Sequence, residues 1–221
     1  MKTVRVVLAI MIGFALMASA GSAAEPKYSG FLGDLYKNLE PGPEGGAKMR
    51  WMKPGVMFGK YDKFMVDSVI FFFADDSEYK GIDPNEMKEL ADNFNQAIVA
   101  AFKDKYPIVV EQGPDVARIR IAITGVKASK PGVSAVSSIL PIGLAVSLVK
   151  KGATGSYSGS GTTSAELEFL DTTTNQPIAA AVDERSAAFG DRFKKWESAE
   201  EAFKYWAEHI VAFIDNTRGM K

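Results

Sequence analysis

"AELEFLDTTTNQPIAAAVDER", residues 165–185, decides how this chain folds. Leu167 and Phe169 alternate with Glu166 and Glu168, which is the period of two that sends successive side chains to opposite faces of a strand. The polar run Asp171–Gln176 then reverses the chain into a second strand, so the segment reads as a hairpin. "PIVVEQGPDVARIRIAITGV", residues 107–126, repeats the theme as two strands joined by a turn at "QGPD". Ile119, Ile121 and Ile123 point one way, and Arg118, Arg120 and Thr124 the other. The sheet is thus expected to have one oily face and one charged face.

Two amphipathic segments supply the cover for the oily face. In "DPNE", Asp83 caps, Pro84 suits the first turn and Glu86 sits where a capping box needs it. Met87, Leu90, Ala91, Phe94, Ile98, Ala101 and Phe102 follow at helical spacing. Near the other end of the chain, Ser198 and Glu201 form a second capping-box pattern. Phe203, Trp206, Ala207, Ile210, Phe213 and Ile214 make its apolar stripe.

"KFMVDSVIFFFAD", residues 63–75, is rich in β-formers, and Val69–Phe73 is apolar on both faces, as in an interior strand. Residues 25–60 contain "EPGPEGG" and "KPG" with Tyr28, Phe31, Tyr36 and Trp51 between them, which predicts an irregular arm pinned onto the domain by aromatic rings. The expected fold is α+β and two-layer: a mixed or antiparallel sheet of about five strands with two main helices on one face.

The first 24 residues have the layout of a secretory signal peptide: Lys2 and Arg5, an apolar core from Val6 to about Ala18, and small residues ending at Ala24, where cleavage is expected. Residues 25–221 then form a single domain. Removing Lys2 and Arg5 takes Lys plus Arg from 26 to 24 against 27 acids, a mature charge of −3. A chain so nearly balanced has no basic footprint for phosphates, so nucleic acid is not an expected partner. The sequence has no cysteine, which removes disulfides, thiol chemistry, thiolate metal sites and a lipid-acceptor residue.

"GVSAVSSILPIGLAVSLVKKGATGSYSGSG", residues 132–161, fits none of these elements. Val133–Val149 carries no charge but is broken at Pro141, and backbone groups freed there would be unpaired in lipid. The expectation is a short or broken helix lying on the domain. Ile139, Leu140, Ile142, Leu144 and Leu148 are its candidate surface for an envelope protein or the membrane. The glycines that follow lack the Gly-Lys-Ser/Thr order of a phosphate-binding loop.

Chemistry-bearing residues are sparse. "DDSEYKGIDPNE", residues 75–86, has acids near a glycine, yet neither starting register gives a calcium loop its oxygen ligands. Glu166, Glu168, Asp183 and Glu184 gather carboxylates, but Arg118, Arg120 and Arg185 lie on strands that can neighbour them, as in ordinary cross-strand pairing. His209 is the only histidine, on the shoulder of the last helix, and no nucleophile elbow accompanies it. No catalytic, cofactor-binding or metal-ligating set is expected, and no cofactor.

Several pieces, in order, carry a resemblance: "YSGFLGDLYKNL" (28–39), Trp51–Gly55, "KYDKFMVDSV" (60–69), "IDPNEMKELADNF" (82–94), "GPDVARIRIAIT" (113–124), "SSILPIGL" (137–144) and "AEEAFKYWAEHI" (199–210). Together they resemble the bacterial secreted and lipoprotein family called domain of unknown function 3313. The resemblance implies an envelope protein of a Gram-negative bacterium, with no established function and no functional residues to carry over. Many members look lipid-modified, a feature this cysteine-free sequence departs from. A second departure is Asn175, where the turn would be expected to have glycine; asparagine tolerates the left-handed conformation better than most residues. The functional expectation is a non-enzymatic accessory or binding protein of the envelope. Its alternatives are a hydrolase using carboxylates on the charged sheet face and a purely structural envelope component. The oligomeric state stays open.

Overall fold

The computed structural model of the chain describes residues 28–74, 82–127, 162–186 and 196–219. The signal-peptide expectation, most of the acidic loop at 75–81 and the whole apolar segment 132–161 lie outside the described residues.

Among the described residues, seven strands form one mixed sheet: β1 (Glu40–Pro41), β2 (Met49–Met52), β3 (Lys63–Val66), β4 (Ile70–Phe71), β5 (Val116–Lys127), β6 (Thr162–Asp171) and β7 (Pro177–Ser186). Their order is β1-β2-β7-β6-β5-β3, with β4 also alongside β5. β3 and β4 run parallel to β5, and every other pairing is antiparallel. Helices α1 (Pro84–Phe102) and α2 (Glu197–Gly219) pack on one face. The α+β class is as expected; the strand count exceeds five because the N-terminal arm is less irregular than its turn-rich sequence suggests. It contributes the β1–β2 hairpin, which extends the sheet at the β7 edge.

The β6–β7 hairpin holds the register its alternation dictates, with Phe169 opposite Ala179 and Leu167 opposite Ala181. Its turn places Asn175 at φ 54°, and the Asn175 N–H donates to the Asp171 carbonyl at 2.8 Å. Asp171 is the organising group: its carboxylate accepts from Lys60 Nζ (2.8 Å), Tyr61 Oη (2.8 Å) and the Thr174 N–H (2.8 Å). Burial alone would raise its pKa; the hydrogen bonds from Lys60, Thr174 and Tyr61 prevail and hold it well below the usual carboxylate range.

The oily face is closed by ring packing. Leu90, Phe94, Ile98 and Phe102 form the buried stripe of α1, and Phe94 stacks on Phe203 of α2 with centroids 4.7 Å apart. Each such fully buried side chain stabilises the fold by about 1.5–3 kcal/mol. Asp83 caps α1, accepting from the Asn85 N–H at 2.8 Å, while the Glu86 carboxylate accepts Trp196 Nε1 at 3.3 Å.

Three local expectations are corrected. Residues 63–75 do not make one interior strand: the run divides at Asp67, whose carboxylate accepts from Arg118 Nε (2.8 Å) and Nη2 (2.7 Å), and the halves lie at the sheet edge. Ile70 and Phe72 are accordingly 44% and 40% exposed. Residues 107–110 form no strand, only a parallel bridge from Ile108 to Phe64, held by the Phe64 N–H on the Pro107 carbonyl and the Val109 N–H on the Phe64 carbonyl. Ser198 lies within the first turn of α2, and it is the Trp196 carbonyl that accepts the Ala199 and Glu200 N–H groups.

Candidate functional site

The charged sheet face is covered over Glu166 and Glu168 and left partly open at Arg118 and Arg120. Gly33–Asn38 forms a 3-10 turn that lies across it, and Leu32 packs with Ala180 and Val182 of β7 among Tyr28, Phe31 and Trp51. Under this cover Glu166 is completely buried. One of its oxygens accepts the Ser29 N–H at 2.9 Å; the other accepts Ser29 Oγ at 3.0 Å and Tyr36 Oη at 2.5 Å. Burial, then the hydrogen bond to Glu166, pushes the Tyr36 hydroxyl pKa up. Tyr36 Oη in turn accepts the Gly30 and Leu32 N–H groups, so one carboxylate organises the whole turn.

Glu168, on the same side of β6, pairs with Arg120, directly opposite it on β5. Burial raises the Glu168 pKa while Arg120 works against the rise. Arg118, Asp67, Arg120 and Glu168 thus form a partly buried ladder, and the Arg120 guanidinium lies 5.2 Å from the centre of the Phe31 ring. The four acids picked out by sequence therefore do not converge. Asp183 faces the helices, where its oxygens accept the Lys48 N–H (3.0 Å) and Trp206 Nε1 (2.7 Å). Glu184 is exposed and pairs with Lys48 at 3.3 Å.

On the helix side, between β2 and α2, the sheet leaves a groove of about 1220 Å³ with a mixed lining, apolar at Leu167 and Phe213 and charged at Glu44, Arg50 and Asp183. Its floor is deepened at Ala181 of β7, which faces the helices and ends at Cβ. Met52, 43% exposed, stands on the β2 wall, opposite Ala212 and Phe213 of α2. One end is tied shut. Asp183 joins the hairpin backbone to Trp206, and Tyr205 Oη donates to the Gly45 carbonyl at 2.8 Å. Arg185 lies 3.4 Å and His209 3.6 Å from the Tyr205 ring centre, and two groups that close must occupy opposite faces of the ring. His209 is exposed, with Nδ1 2.9 Å from the Tyr205 carbonyl oxygen; it borders the groove in a stacking role.

The family model described as "Protein of unknown function (DUF3313)" matches residues 27–210. The chain belongs to this family. The resemblance carried by the short motifs is therefore borne out. This DUF3313 member is 28% identical over 171 residues to the uncharacterized lipoprotein YdcL of Escherichia coli K12, covering 76% of this chain and 75% of that protein. Among solved structures, the PelC dodecamer from Paraburkholderia phytofirmans is similar at 10% identity and a TM-score of 0.40, over 72% of this chain and 96% of that one. Protein XCC0632 from Xanthomonas campestris is similar at 13% identity and a TM-score of 0.40, over 70% and 84%.

Ile139, Leu140, Ile142, Leu144 and Leu148, the surface picked out by sequence, lie outside the described residues of this DUF3313 chain. Among the described residues no group of three or more acids or histidines is placed to hold a metal, and no helix is long and apolar enough to cross a membrane. Sequence reasoning missed the groove. Its visible trace is the run Ala179-Ala180-Ala181: alanine is a poor strand former, so three in succession mark places where space counts for more than packing.

Proposed function

We propose that this DUF3313 member is an exported, envelope-associated protein that acts by binding a macromolecule or the membrane surface, not by breaking bonds. What supports the reading most is the fate of Glu166. The acid/base reading needs open carboxylates on the charged sheet face, and there both Glu166 oxygens are taken up by Ser29 and Tyr36 beneath the arm. Glu168 is likewise committed to Arg120. Export is supported by the signal-peptide layout of residues 1–24, and envelope association by the lipoprotein named among the relatives. With no cysteine in the sequence, the contact is assigned to Ile139, Leu140, Ile142, Leu144 and Leu148.

The test combines fractionation with in-cell crosslinking. The mature protein should begin at Glu25 and crosslink to an envelope component. Replacing Leu140, Ile142 and Leu144 with serine should abolish that association while the circular dichroism spectrum is unchanged. Unfolding of the triple variant would make the segment core and remove the surface. Turnover of any glycan, ester or phosphate substrate by the purified protein would overturn the reading altogether.

A further inference from the structure

We draw no further inference here: the strongest candidate, the exposed apolar patch that Ile70 and Phe72 at β4 and Ile108 beside β3 form along one edge of the sheet, carries none, because nothing among the described residues shows what covers it.

Discussion

Tyr36 donates its hydroxyl to Glu166 across 2.5 Å, joining positions 130 residues apart in the chain. This contact turns an acid on a strand into the anchor of a surface turn. Removing only the hydroxyl tests it. Tyr36→Phe should cost about 2–3 kcal/mol in a denaturant melt, the range for hydrogen bonds to a charged group plus orphaned N–H donors at Gly30 and Leu32. Limited proteolysis should then cut within residues 28–39 before anywhere in the β6–β7 hairpin. A melt unchanged within about 0.5 kcal/mol, the usual scatter for surface substitutions, would show the arm is held by its apolar residues alone.

Asp171 gives the fold an acid-sensitive point. Its pKa is depressed in the folded state from an ordinary value of 3.8, so its contribution is complete above that value and fades as the pH falls toward the folded pKa. Asp171→Asn should lower the melting temperature at pH 7. The gap between variant and wild type should shrink steadily below about pH 4. A gap that stays constant down to pH 2 would assign the loss to the turn's shape and not to the carboxylate's charge.

Asp183 and Trp206 set the closed end of the groove. Trp206→Phe keeps most of the ring's packing but leaves one buried carboxylate oxygen without its 2.7 Å donor. A loss of about 1–3 kcal/mol is expected by chemical denaturation followed at 222 nm. A loss below about 0.5 kcal/mol would mean that water takes the indole's place.

Asn175 occupies the left-handed region at φ 54° in the β6–β7 turn. Asn175→Ala should destabilise by about 1 kcal/mol, and Asn175→Gly should be neutral within a few tenths, both read as shifts in the urea midpoint. Equal losses in the two variants would point to the asparagine side chain itself, not to backbone strain.

The alternation in β5, β6 and β7 made the sheet legible, because a period of two admits only one assignment of faces. Likewise the stripe from Leu90 to Phe102 fixed α1. What alternation cannot convey is what lies over each face. Glu166 and Glu168 read as solvent-facing because acids are rarely buried, and only the distant Ser29, Tyr36 and Arg120 make their burial tolerable. Arg118 misled in the same way, since its partner Asp67 also interrupts the 63–75 run and sends it to the sheet edge. The groove was hidden for a different reason. It is an absence of side-chain volume, produced by β7, the β1–β2 hairpin and α2 together, and no local pattern in any one of them records it.

The pairing of Ser29 with Glu166 spans 137 positions, and this fixes the order in which the molecule can be completed. A chain emerging amino end first from a ribosome or a translocation channel presents residues 28–52 long before β6 and β7 exist to receive them. Contacts of such high sequence separation form late, after the closure of the intervening loops has been entropically offset. The amino-terminal segment therefore cannot be fastened before β6 exists to supply Glu166, however early it leaves the ribosome.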